Sequence, residues 1–208
     1  MQKPQDDAWP EVLTEAIVVI DIVESTTTSN LFGWYTVGRA AFRDLRALVS
    51  QVGAARGLRV LKSTGDGYLV TFHDARSAEA SAVAATEAIF DLYDRVADRN
   101  RAVFEEKALN LRSAIHIGEV DALQNDSAGP HVTLAFRVEG ISRASLPAAL
   151  NPTLPEELPL QNYVLCSEEV AGILARRSAP WVTRCIGAFR LKGFPGFREV
   201  FHVTAQSA

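Results

Sequence analysis

The spacing of hydrophobic positions changes several times along the chain, and each change marks an element. Residues 15–23 (EAIVVIDIV) are β-branched and almost wholly apolar, the pattern of a central strand covered on both faces. Asp21 breaks that run near its C-terminal end. Residues 25–29 (STTTS) offer helix-start chemistry. Phe42, Leu45, Leu48, Val49 and Val52 then recur at three- and four-residue steps and predict a long first helix, with Gly57 as its stop. Residues 58–62 and 68–72 predict short strands around residues 63–67 (STGDG), whose Gly65-Asp66-Gly67 centre reads as a tight hairpin turn. Residues 77–98 predict a second helix with Ile89, Leu92, Tyr93 and Val96 on one face. Residues 109–120 predict another strand, ending at Gly118.

That order is β-α-β-β-α-β, the ferredoxin-like split pattern. Beyond it, 131–143 reads as helical, and 145–161 carries four prolines and reads as an irregular excursion. A strand (162–166), a short helix (168–177) and a closing hairpin (182–191 with 198–204) follow. The expected class is α+β: a ferredoxin-like βαββαβ core with a C-terminal α/β extension. Residues 1–14 are polar with two prolines and read as a flexible arm, which leaves 15–208 as a single domain.

Composition narrows the function classes. With 208 residues, 48% hydrophobic and 22% charged, the chain can bury a full core without disulfides. Its two cysteines, Cys166 and Cys185, suggest a reducing compartment. Net charge −4 argues against duplex nucleic acid or an anionic membrane as a main partner. No apolar run approaches the ~20 residues needed to span a bilayer, and the start lacks secretory-signal patterning. A cytoplasmic protein is the expectation.

Two acidic residues carry the candidate chemistry. Asp21 alone reads equally as a helix cap or a metal ligand, because a carboxylate in a Val/Ile strand is costly without a cation. Asp66 alone reads as a turn residue. In a βαββαβ sheet, however, the first strand lies beside the third, so the end of one and the turn before the other meet at one edge. Two carboxylates converging there make a hard-oxygen site for divalent cations. Paired ions ~3.5–4 Å apart are a common device for in-line phosphoryl chemistry. The strand-to-helix turn at 23–27 adds free backbone N–H groups suited to a phosphate, with Ser25 and Thr26 as its candidate contacts.

Five segments together resemble the class III nucleotide cyclases, the adenylate and guanylate cyclase catalytic domains. They are 18–26 (VVIDIVEST), 62–68 (KSTGDGY), 115–120 (IHIGEV), 132–137 (VTLAFR) and 190–193 (RLKG), in family order, with Asp21 and Asp66 45 residues apart. The resemblance implies that Asp21, Asp66 and the backbone carbonyl of Ile22 hold two Mn²⁺ or Mg²⁺ ions per site. It implies attack of a 3′-hydroxyl on the α-phosphorus of a nucleoside triphosphate, with diphosphate leaving. Arg137 matches the transition-state arginine and Lys192 a triphosphate lysine. Lys62 matches a base-reading lysine, and Asp126 is either its base-reading partner or a plain loop aspartate. The family's active unit is a head-to-tail homodimer. Asp21 and Asp66 of one chain would then work with Lys62, Asp126, Thr133 and Arg137 of the other.

Thr133, four residues before Arg137, departs from the asparagine that orients ribose in purine cyclases. That change, with no second module recognisable in the 208 residues, resembles the stand-alone pyrimidine cyclases of bacterial antiphage (Pycsar) systems. The expected product is cyclic UMP or cyclic CMP, received by a separate effector. Lys62 and Asp126 suit adenine, so ATP to cyclic AMP is the alternative. A catalytically silent cyclase fold that binds nucleotide or dimerises is the second alternative.

Overall fold

The computed structural model describes residues 10–23, 38–104, 107–177 and 180–206. The strands are β1 (Glu11–Ile22), β2 (Leu58–Ser63), β3 (Gly67–Phe72), β4 (Leu111–Leu123), β5 (Asp126–Ala128), β6 (Tyr163–Ser167), β7 (Trp181–Phe189) and β8 (Arg198–Ala205). The helices are α1 (Arg39–Gly53), α2 (Ala78–Arg101), α3 (Pro130–Glu139) and α4 (Glu168–Ala175). One sheet runs β2-β3-β1-β4-β6-β8-β7, and β5 pairs off this path with β4. All pairings are antiparallel except β4 with β6. The first four strands thus take the order expected of the split βαββαβ core, and β6 to β8 with α4 extend it.

β1 is central for the reason its composition suggests. Ala16, Val18, Ile20 and Ile22 face a core shared with α1, α2 and α4. Ile17 and Val19 face the other way, against Ala135 of α3. A further core under α3 and the proline-rich excursion joins Leu134 and Val138 to Leu146, Leu158, Leu165 and Ile186. α2 starts where its sequence signals a cap: Ser77 accepts a hydrogen bond from the Ala80 amide, 3.0 Å.

α1 ends at Gly53, four residues short of the expected Gly57 stop, and three boundaries nearer the site also differ from expectation. β1 starts at Glu11, because residues 11–14 pair with 119–122 of a long β4, so four residues assigned to the arm belong to the sheet. β4 runs past Gly118 to Leu123 and turns through Gln124 and Asn125 into β5, where a loop was expected. Asn125 holds φ +63, a left-handed conformation that Asn tolerates. α3 ends at Glu139, four residues early, at Gly140. The expected start of the first helix at 25–29 lies outside the described residues.

Candidate functional site

The β1–β3 register places Asp21 opposite Gly67, and the Ile22 amide donates to the Asp66 carbonyl at 3.2 Å. Asp21 and Asp66 are therefore neighbours across the mouth of the central strand pair. Gly67 makes the approach possible, since a Cβ there would lie 1.9 Å from the Ile20 carbonyl oxygen. The Ile22 side chain belongs to the core.

Two further residues meet at this mouth. Arg112 is the β4 residue opposite Asp21, and its guanidinium donates to Asp21 Oδ2 at 2.9 Å. Its Nε donates to Glu139 at the C-terminal end of α3. Burial pushes Asp21 up to about 7, with Glu139 and Asp66 adding to the shift and Arg112 opposing it. Burial also raises Glu139, against Arg112. Burial works against the charge on Arg112, but Glu139 and Asp21 more than offset it. The mouth holds more negative charge than one arginine balances.

The donor set fits hard divalent cations: the carboxylates of Asp21 and Asp66 at one strand mouth, under-compensated, with backbone oxygen nearby. Among the described residues no three His, Cys, Asp or Glu side chains close into a metal site, so a cation here would complete its shell with carbonyl, substrate or water oxygens. Ser25 and Thr26, the expected phosphate contacts, lie outside the described residues.

α3 lies over β1 and β4 on the face that carries Asp21. Its first turn packs on the sheet through His131, whose Nδ1 sits 2.8 Å from His116 Nε2 with the rings stacked. The other nitrogen of His116 lies 2.8 Å from Ser167 Oγ. Burial pushes His116 down to about 4, with Glu169 working the other way, so it is a neutral core residue. A Cβ on Gly118 would strike the His131 ring at 2.2 Å, so that glycine permits the docking. The helix points Thr133 and Arg137 outward, both exposed and one turn apart. Arg137 Nε donates to the Lys192 carbonyl at 3.3 Å, which brings two of the expected phosphate-handling residues together.

Lys62 and Asp126 also meet. Lys62 Nζ lies 2.6 Å from Asp126 Oδ2, and the Ser127 amide donates to Asp126 Oδ1 at 2.8 Å. The Lys62 hydrogen bond holds the Asp126 carboxyl below its usual range despite some burial. Asp126 is thus not a plain loop residue; it sits on β5 facing the expected lysine.

Sequence reasoning missed Arg112, Glu139, Glu15 and Arg59. A signal existed for two of them: a charged residue inside a strand otherwise built for burial, Arg112 in LRSAI and Glu15 in EAIVVI. Arg59 and Glu139 carried none, because charges at strand starts and helix ends are ordinary.

No family model matches the chain. A stretch of 91 residues, 44% of the chain, is 36% identical to "Putative adenylate cyclase 3" of Rhizobium meliloti (strain 1021); the match spans 14% of that protein's length. Among solved structures, the chain resembles the adenylyl cyclase CyaB from P. aeruginosa over 95% of this chain and 96% of that one, at 18% identity and TM-score 0.69. It resembles the guanylyl cyclase Cya2 over 96% and 95%, at 17% identity and TM-score 0.72. It resembles the guanylate cyclase domain of RhGC from Catenaria anguillulae, in complex with GTP, over 95% and 100%, at 16% identity and TM-score 0.70. The fold is that of the class III adenylyl and guanylyl cyclase domains. Among the described residues no helix is long and apolar enough to cross a membrane.

Proposed function

We propose that this chain is a nucleotide cyclase, converting a nucleoside triphosphate to a 3′,5′-cyclic mononucleotide and diphosphate. The observation that carries the reading is the strand register that sets Asp21 beside the Asp66 turn, on a sheet face shared with the helix bearing Arg137. Divalent cations bound there, Mn²⁺ or Mg²⁺, would activate the 3′-hydroxyl and clamp the triphosphate. The residues that would hold them are Asp21, Asp66 and the Ile22 carbonyl, and a pair of ions per site would suit the two carboxylates.

The chain's own groups supply the rest. The 3′-hydroxyl releases its proton to water, its oxygen attacks the α-phosphorus, the bond to the bridging oxygen breaks, and diphosphate leaves with that electron pair. Arg137 neutralises charge growing on the α-phosphate, and Lys192 beside it meets the departing phosphates. Both are exposed, Arg137 on α3 and Lys192 on its neighbouring turn. That placement supports a homodimer in which each Asp21–Asp66 pair meets the partner subunit's α3.

Lys62 and Asp126 support a choice of base. Asp126 offers only acceptors and Lys62 only donors. Such a pair matches an exocyclic amino group beside a ring-nitrogen acceptor, as in cytosine and adenine. With Asp126 facing the exocyclic group and Lys62 the ring nitrogen, uracil and guanine present a carbonyl and an N–H that leave both groups mispaired. Of the pyrimidines expected from Thr133, CTP is favoured over UTP, and cyclic CMP is the proposed product. ATP is the second reading, supported by the same pair and by the name of the Rhizobium meliloti protein. A messenger role in antiphage defence, with a separate effector, rests on the sequence resemblance.

Incubation with ATP, GTP, CTP and UTP plus Mn²⁺, with products identified by mass spectrometry, tests this. Cyclic CMP as the main product is expected. Absence of any cyclic product from dimeric, folded protein would leave only a silent nucleotide-binding fold.

A further inference from the structure

Asp126 can read a base only if it is held in place, and the backbone does not hold it. β5 is three residues long and pairs only with β4. A short hairpin of this kind is marginal by itself. The Lys62–Asp126 pair is half exposed at Lys62 and three-tenths exposed at Asp126, which makes it a weak constraint.

A second ion pair lies directly behind it. Glu15 of β1 is completely buried, and Arg59 of β2 binds both of its carboxylate oxygens. The remaining donors of Arg59 reach the hairpin. Its Nη1 donates to the Leu123 carbonyl at 3.1 Å, and its Nη2 donates to the Asp126 carbonyl at 2.9 Å and to Ser127 Oγ. Ser127 Oγ in turn donates to Glu15 Oε2 at 2.8 Å. One guanidinium thus grips both ends of the Gln124–Asn125 turn and is itself fixed by a buried carboxylate. A buried charge with all its partners present has a single low-energy arrangement, because any shift strands it.

We propose that the Glu15–Arg59–Ser127 network is a positioning device for base recognition: it latches the β4–β5 hairpin to β2 and so sets Asp126 against Lys62. The inference rests on the reading of Lys62 and Asp126 as base-reading residues. None of the three latch residues needs to touch the nucleotide. Their effect passes through Asp126, so they tune which base is accepted and leave the phosphate chemistry at Asp21 and Asp66 alone.

Arg59→Lys is the informative variant. It keeps a positive charge against Glu15 and loses the fork that reaches the Leu123 and Asp126 carbonyls. Hydrogen exchange at Asp126 and Ser127 should accelerate about tenfold or more in the full-length protein, with β1 and β3 unchanged. Discrimination between CTP and UTP should fall about tenfold, the worth of one charge-assisted hydrogen bond, through KM for CTP with kcat nearly constant. Adding Arg59→Lys to Asp126→Ala should change discrimination no further. Ser127→Ala removes one link, should show the same pattern more weakly, and serves if Arg59→Lys does not fold. Unchanged exchange at Asp126, or full discrimination in Arg59→Lys where Asp126→Ala abolishes it, overturns the latch. If Asp126→Ala itself leaves discrimination intact, the base-reading assignment fails, and the device with it. Exchange then still reports whether the hairpin is latched, which separates the two failures.

Discussion

Strand β1 carries two buried carboxylates six residues apart on the same face, and they are treated in opposite ways. Glu15 has a guanidinium on both oxygens and a hydroxyl besides. Asp21 shares one guanidinium with Glu139 and faces Asp66 as well, and its carboxyl is pushed up to about 7. Burial alone therefore does not distinguish structure from function. The distinction is whether the partners present balance the charge. Glu15 is satisfied within the chain and holds a hairpin; Asp21 is short of positive charge, as a cation ligand is before its cation binds.

The largest effect should separate the two in activity. Asp66→Ala, or Asp21→Asn, should lower turnover by at least about a thousandfold while the protein stays folded, since the proposed phosphoryl chemistry would lose a cation ligand. Substantial turnover in either variant, measured by cyclic product formation, would remove the reason for treating this mouth as the reactive centre. Mixing Asp66→Ala with Arg137→Ala chains should recover activity from one intact site per heterodimer; no recovery would count against sites shared between subunits.

Stability should separate them with opposite signs. Glu15→Gln leaves Arg59 short of its counter-charge in a closed environment, and should cost about 3 kcal/mol or more. Asp21→Asn removes an under-compensated charge and should leave metal-free stability equal or raised by about 1 kcal/mol at pH 8. Urea denaturation of both variants without divalent ions measures this. Equal destabilisation by the two would show that Asp21 is structural too.

How much of this contrast was legible beforehand follows from its physics. The order of strands and the meeting of Asp21 with Asp66 were readable, because an apolar strand, a Gly-Asp-Gly turn and the βαββαβ order together fix which ends are adjacent. That Thr133 and Arg137 share one exposed helical face was readable from their four-residue step. The Glu15–Arg59 latch was not, because it joins side chains from β1, β2 and β5, and β5 itself has no apolar alternation to announce it. Arg112 stood out as a charge in a strand built for burial, but its place opposite Asp21 is a consequence of β1–β4 register that periodicity within one strand cannot supply. Residues 24–27 of the strand-to-helix turn, Ser25 and Thr26 among them, lie outside the described residues.

The smallest effect is in the pH dependence of metal-free stability, and its sign is informative. Asp21 titrates at about 7 when folded against 3.8 for an ordinary aspartate, so between those values the folded state binds the extra proton. Its contribution is present below about 4 and is lost as pH rises through 7. His116, down to about 4 from 6.5, acts the other way: its contribution is present above 6.5 and is lost as pH falls toward 4. The two slopes oppose each other over much of one window, so the native protein should look nearly flat there. Asp21→Asn should uncover a rise in stability with pH between about 4 and 6.5, and His116→Gln should uncover a fall between about 4 and 7. Saturating Mn²⁺ should remove the Asp21 contribution in the unsubstituted chain, since a bound cation holds the carboxylate ionised, while leaving the His116 slope in place. Chemical denaturation at half-unit pH steps, with and without Mn²⁺, measures both. A native curve that does not respond to Mn²⁺ would mean that the charge deficit at Asp21 is not kept for a metal.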